Sequence, residues 1–140
     1  MVGDNVEIIV RDYEEKDFDA VNELIKESFS YEKGAVQGDM YHEVVGCIDN
    51  KVVGYLLMIK MYNPIAQFTY YLLDHVCVSS QYRGMHVGEA MVEYAEKLAR
   101  ESSAKYIQLS CSRFRIAAHK LYEKCGFYMR ESDMYRKEIV

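Results

Sequence analysis

The run Tyr71-Leu72-Leu73-Asp74-His75-Val76-Cys77-Val78, followed at once by Gln81-Tyr82-Arg83-Gly84-Met85-His86-Val87-Gly88, decides the fold. The first part is apolar and β-rich, and the second opens a periodic segment that continues to Arg100. That pattern is a strand, a tight turn and a helix start. A helix N-terminus presents free backbone N–H groups and a partial positive charge, which suits a phosphate. Arg83 adds a permanent cation, and Gly84 marks a place where backbone can approach a ligand closely. The stretch reads as a cradle for a phosphorylated cofactor just past the end of a strand. An ordinary strand–helix turn that needs a glycine fits the same residues.

Outward from the turn, Val87, Ala90, Met91, Tyr94, Ala95 and Leu98 fall on one face of the helix. Glu89, Glu93, Glu96, Lys97 and Arg100 fall on the other, with Glu93–Lys97 and Glu96–Arg100 spaced as supporting pairs. Before the turn, Val6–Arg11 reads as a strand and Asp17–Ser30 as a helix with Phe18, Val21, Leu24, Ile25 and Phe29 on one face. Tyr31 to Asp39 is a polar loop. Val44–Ile48 and Val52–Ile59 flank a turn at Asp49-Asn50-Lys51, which makes a hairpin. Phe68 to Val78 is the strand that enters the turn. After the long helix, Tyr106–Leu109 reads as a short buried strand, parallel to the one before it and joined to it by a right-handed crossover. Arg115–Cys125 reads as a helix stopped by Gly126, and Phe127–Val140 as one or two closing strands. The expected class is α/β (α+β), a mixed sheet with helices packed against it.

Composition limits the function. The chain has 140 residues, 50% of them hydrophobic, which suits a single globular domain over residues 1–140. No apolar run is long enough to span a membrane, and the Gly3-Asp4-Asn5 start does not resemble a signal peptide. Cys47, Cys77, Cys111 and Cys125 are scattered among apolar neighbours with no zinc spacing, so reduced thiols in a cytoplasmic protein and no metal are expected. The formal charge of −5 is uneven: residues 1–81 carry a net −8 and residues 82–130 a net +4. An acidic first half argues against nucleic acid as a partner and is compatible with a cationic substrate, though such acids also simply solvate a surface.

A second motif joins the turn. Arg115-Ile116-Ala117-Ala118-His119-Lys120-Leu121-Tyr122-Glu123-Lys124-Cys125-Gly126-Phe127 closely resembles the last helix of the GCN5-related N-acetyltransferases (GNAT). That family typically shows Asn-x-x-Ala-x-x-x-Tyr-x-x-x-Gly-Phe there and (Gln/Arg)-x-x-Gly-x-(Gly/Ala) at the acetyl-CoA turn. The hairpin with Gly46 and Val53-Gly54-Tyr55 looks like the family's second and third strands. The resemblance runs through nearly the whole chain in the right order. It implies a mostly antiparallel sheet of about six to seven strands, with acetyl-CoA bound as cosubstrate at a splay between central strands. It also implies acetyl transfer to a primary amine of a small molecule or peptide. By analogy, the backbone of Val76, Cys77 and Val78 pairs with the pantetheine arm, and the N–H groups of Tyr82, Arg83, Gly84, Met85, His86 and Val87, with Gly88 behind them, receive the pyrophosphate. His86 stands where the family usually has Gly or Ala, and Arg115 where it often has Asn. Arg115 either binds a CoA phosphate or decorates the first turn of its helix.

Acetyl transfer needs a neutral amine, a polarised thioester carbonyl and a stabilised leaving thiolate. The resemblance puts the Tyr122 hydroxyl beside the CoA sulfur as general acid; helical spacing alone makes Tyr122 a core residue. Asp74 and His75 are the candidates for the base. Strand alternation puts them on opposite faces, so at most one faces the acceptor. A cysteine nucleophile lacks a legible Cys–His–acid arrangement. The acceptor is expected near the first helix, the loop from Tyr31 to Asp39 and the segment from Met61 to Phe68, whose Tyr, Met and acidic residues suit an amine with some apolar surface. A non-catalytic acetyl-CoA sensor or partner-binding domain is the alternative, and the closing strands could pair two copies as a homodimer.

Overall fold

A computed structural model describes residues 6–139. They form two compact units, divided after Ser110. The first holds a five-stranded sheet in the order β1-β2-β3-β4-β5, with strands Ile8–Asp12, Tyr41–Ile48, Lys51–Asn63, Phe68–Val78 and Ile107–Gln108. The first three pairings are antiparallel. β4 and β5 pair in parallel, which requires a long connection, and helix α2 (Val87–Glu101) supplies it. Helix α1 (Phe18–Phe29) connects β1 to β2. The second unit holds helix α3 (Ile116–Lys124).

The hairpin forms because Asp49 and Asn50 both accept positive φ, 50° and 62°. Their backbone twist matches that of the flanking strands, as two-residue hairpin loops require. Ile48 then faces Lys51 and sets the register of both strands. Val21, Leu24 and Ile25 of α1 pack on Val45, Cys47, Tyr55 and Cys77 on one face of the sheet. The alternate residues of β2 and β3 face α2, where Val87 and Met91 approach Gly46 and Gly54.

The expected closing strands from Phe127 to Val140 are absent among the described residues, so the sheet has five strands rather than six or seven. Phe127 to Ile139 is β-rich in places, but a strand exists only where a neighbouring ladder accepts it, and none pairs with this segment. Val140 lies outside the described residues. β2 begins at Tyr41, earlier than its apolar run indicates, and β3 runs on past Ile59 to Asn63.

The start of α1 is fixed by one buried carboxylate. Asp17, 3% exposed, accepts two hydrogen bonds from the Arg11 guanidinium at 2.8 and 2.9 Å and a third from the Glu14 N–H at 2.8 Å. These hydrogen bonds, Arg11 foremost, hold the Asp17 carboxyl below the ordinary carboxylate range against the opposing effect of burial. A depressed folded-state pKa stabilises the fold above the unfolded pKa, and that stability is lost as pH falls through the folded value. Asp17→Asn should therefore lower stability at pH 7 by about 2–4 kcal/mol. Urea titrations at pH 7 and pH 3 should show the gap between variant and wild type shrinking in acid. A gap that stays constant would contradict the role of this charge.

Candidate active site

Three local devices converge where β4 ends. The first is a bulge. Tyr55 pairs with Cys77, but Leu57 pairs with Asp74, so β4 carries one extra residue between them. His75 takes up the slack at φ 52°, in the left-handed region. That conformation costs a non-glycine residue about 1 kcal/mol, and His is among the side chains that tolerate it. The His75 N–H turns to the Asp74 carboxylate, 2.8 Å away. The bulge overturns the expectation from alternation. Asp74 faces the α1 side with its partner Leu57, and the His75 ring lies on Phe29 of α1, with centroids 4.7 Å apart. Both reach the same face, and His75 Nδ1 is 3.2 Å from Asp74 Oδ1.

The second device is an open strand edge. β5 pairs with β4 only at Tyr71 and Leu72. Beyond them, the β5 side of β4 has no ladder partner among the described residues. The Ser79 N–H donates to Val53 O at 2.8 Å, and backbone direction alternates along a strand. Cys77 therefore directs its backbone groups toward β3, and Val78 directs its own to the open edge. Val76 sits at the bulge, where the ladder resumes out of step. An open edge of this kind accepts an extended amide chain as an added strand.

The third device is the turn and the start of α2. Ser80 to Tyr82 form one 3-10 turn, with the Tyr82 N–H on Ser79 O at 2.9 Å. The Ser80 N–H donates to Glu27 of α1 at 2.8 Å and fastens the turn from the other side. Gly84 at φ 80° and His86 at φ 69° reverse the chain so that α2 starts at Val87. A Cβ on Gly84 would meet nothing within 4 Å, so glycine serves the backbone angle there. The positive φ at His86 likewise suits a glycine, and histidine adopts it while its ring contacts Glu89 at 3.3 Å. Arg83 is exposed and Met85 half-buried beside the turn. By helix geometry the first N–H groups of α2, at Val87 and Gly88, have no carbonyl acceptor within the helix.

What places that helix end is a pair of glycines the sequence reading noted only as strand residues. Gly46 and Gly54 are cross-strand partners, and Gly54 also faces Val78. A Cβ on Gly46 would come within 2.9 Å of Val87 Cγ1, and one on Gly54 within 2.9 Å of Met91 Cε. Only bare backbone allows α2 to lie this close. Gly46 lies two residues before Ile48 and Gly54 three after Lys51, so only the register shift between Gly46 and Cys47 sets them opposite each other, and no local sequence signal marks it.

Next to the bulge, the loop after α1 is anchored by a buried ion pair. Lys33 Nζ is 2.8 Å from Glu43, with the two side chains 5% and 10% exposed. Glu43 also accepts the Tyr55 hydroxyl at 2.8 Å, and burial and this carboxylate push the Tyr55 phenol well up. The Lys33 N–H donates to Asn22 of α1 at 2.8 Å. Tyr31, on that anchored loop, hydrogen-bonds through its hydroxyl to His75 Nε2. This contact was not legible in the sequence, because nothing in the loop encodes where the bulge will aim a side chain.

In the second unit, Arg115 caps the start of α3 and Tyr122 lies within it. The Tyr122 ring meets Phe127 edge-on at 5.9 Å, and the Phe127 N–H returns to Tyr122 O at 2.9 Å. Gly126 at φ 92° makes that reversal, as its sequence position indicates.

Comparison with known proteins identifies the family and the fold. The model of the Acetyltransferase (GNAT) family matches residues 5–127. The chain belongs to that family. It is similar to streptothricin acetyltransferase from Escherichia coli, 30% identical over 109 residues that make up 75% of this chain and 60% of the relative. The chain thus spans about 60% of that curated relative's length. Among solved structures it is similar in fold to a transcriptional regulator from Bacillus halodurans C-125, with TM-score 0.83 and 19% identity, covering 94% of this chain and 100% of that one. It is also similar to ribosomal-protein-alanine N-acetyltransferase from Brucella melitensis biovar Abortus 2308, with TM-score 0.82 and 17% identity, covering 96% and 100%.

The glycine seat makes a sharp prediction. Gly54→Ala should cost about 1–3 kcal/mol, because the new methyl group displaces Met91 or lifts α2. Gly34→Ala, which would meet nothing within 4 Å, should change stability by under about 0.5 kcal/mol. Thermal melts of both variants check this, and equal midpoints would refute the seat.

Proposed function

We propose that this chain transfers the acetyl group of acetyl-CoA directly to a primary amine. One observation carries the reading: an open β4 edge just past a bulge lies next to a helix N-terminus seated on two glycines. The edge suits the amides of a pantetheine arm, through Val78 and the bulged backbone at Val76. The N–H groups of the turn and of the first helical turn, with Arg83, suit a pyrophosphate. Membership of an acetyltransferase family supports the same cofactor. No metal is called for: the thioester is already activated, and hydrogen-bond donors suffice to hold its developing charge.

In this mechanism the neutral amine attacks the carbonyl carbon, gives up a proton on the side of Asp74 and His75 as the C–N bond forms, and expels the CoA thiolate. Tyr122 protonates the thiolate; this assignment rests on the family's helix motif. Arg115 of the same helix is the group we assign to a CoA phosphate. The similarity to streptothricin acetyltransferase supports a small, cationic, amine-bearing acceptor, and so does the net −8 of residues 1–81.

The test pairs binding with turnover. Calorimetry should show saturable binding of acetyl-CoA and of CoA, and none of ATP. A panel of streptothricin, glucosamine, a polyamine and a peptide with a free N-terminus should then reveal an acetylated amine by mass. Tyr122→Phe should lower turnover by about a hundredfold and leave acetyl-CoA affinity within about threefold. Unchanged turnover would remove Tyr122 from the reaction. Binding without turnover on any amine would make the chain an acetyl-CoA sensor instead.

A further inference from the structure

We infer that Tyr31, His75 and Asp74 form a proton relay in which the Tyr31 hydroxyl is the group that takes the proton from the acceptor amine. The inference rests on the acetyltransferase reading above and assigns a role to a residue of the loop after α1.

The hydrogen bonds define the direction of the relay. An ionised carboxylate can only accept, so Asp74 Oδ1, 3.2 Å from His75 Nδ1, requires the ring proton on Nδ1. A neutral ring with its proton there has a lone pair on Nε2. Nε2 faces the Tyr31 hydroxyl, which must then donate to it. The tyrosine oxygen, its proton held by a base, presents its lone pairs outward. Tyr31 is 53% exposed, so an incoming amine can reach that residue, whereas the half-buried His75 ring packs edge-on against Phe29 with its Nε2 on the Tyr31 hydroxyl.

The geometry is held on every side. His75 is fixed by the bulge, with its own N–H on Asp74, and its ring rests edge-on against Phe29. Tyr31 stacks on Phe29 at 6.2 Å. It follows Ser30, whose left-handed conformation caps α1 through an N–H on Lys26 O at 3.1 Å. It precedes Lys33, pinned by the buried pair with Glu43. A residue with only a packing role would not need its hydroxyl aimed at the one basic atom of a carboxylate-oriented imidazole. Asp74 and Tyr31 hold the two ring nitrogens of His75.

The amine nitrogen forms a bond to the thioester carbonyl carbon, and the C–S bond breaks. The proton lost by the amine goes to Tyr31 Oη as the tyrosine proton moves to His75 Nε2. The imidazolium so formed is stabilised by Asp74 and returns its proton to solvent after the amide leaves. The CoA thiolate takes a proton from Tyr122, which is replenished from water. Asp74 and His75 act through Tyr31 and are positioning residues for it.

Tyr31→Phe tests this, because it keeps the ring against Phe29 and removes only the hydroxyl. With an amine that the wild type acetylates, turnover should fall about a hundredfold while acetyl-CoA affinity by calorimetry stays within about twofold. Nitrogen NMR of the His75 ring in the wild-type protein should show the proton on Nδ1 in the neutral form, and the Nε2 resonance should move in Tyr31→Phe. Wild-type turnover in Tyr31→Phe, or a neutral ring protonated on Nε2, overturns the relay and leaves the acetyltransferase reading in place. Absence of transfer by the wild type on every amine overturns that reading, and the relay's catalytic role with it.

Discussion

The close approach of α2 to the sheet at Gly46 and Gly54 is the constraint on which the rest depends. Val87 and Met91 occupy space that any Cβ at those glycines would claim, with would-be contacts as short as 2.9 Å. Both α2 residues are at most 1% exposed, so the seat is also the apolar core on this side of the sheet. Because Val87 is the first residue of the helix, the contact fixes where the helix begins as well as where it lies. The chain leaving β4 must therefore reverse within the few residues from Ser79 to His86. That demand explains the positive φ at Gly84 and His86 and the fastening of the turn to Glu27. A helix start beside a strand end is the outcome of core packing, and the phosphate role proposed for it rests on the backbone donors of the turn.

The bulge in β4 performs a second task with one residue. It throws the ladder out of step between Leu57 and Tyr55, and it brings Asp74 and His75 to one face. The strain at His75 is offset by its contacts: the ring on Phe29, the hydroxyl of Tyr31, and the Asp74 carboxylate on both its N–H and its Nδ1. Cores tolerate such a conformation where surroundings over-determine it. The α1 face supplies those surroundings, since Arg11–Asp17 sets the start of the helix and the buried Lys33–Glu43 pair sets the loop after it. The first unit thus holds an open strand edge and a helix start on the α2 side and the Tyr31–His75–Asp74 cluster on the α1 side, joined through one strand.

Much of this was legible in the sequence, for physical reasons that differ by element. α1, α2 and α3 follow from apolar spacing, and their ends fall within a residue or so of the periodic segments. The hairpin follows from Asp49-Asn50, and the turn from a glycine after an apolar run. The start of β2 was hidden because Tyr41-His42-Glu43 breaks the apolar pattern; Glu43 is inside as the partner of Lys33 and Tyr55, a pairing that no local window contains. The bulge was hidden because histidine carries no signature of positive φ, and with it went the shared face of Asp74 and His75. Tyr31 was visible as a loop residue, but its partner lies 44 positions away. The segment from Phe127 to Ile139 has strand composition without a ladder, which shows pairing deciding against propensity. The family resemblance carried what spacing could not, above all the roles assigned to Tyr122 and Arg115.

The central claim is that packing at the two glycines creates a cofactor cradle from backbone groups. The most direct measurement is a titration of the isotope-labelled protein with CoA, followed by the backbone amide resonances. The account predicts the largest shifts at Val76, Val78 and the amides from Arg83 to Glu89, with β1 and the hairpin turn at Asp49-Asn50 unmoved. Saturable shifts centred elsewhere, or none at millimolar CoA, would contradict it.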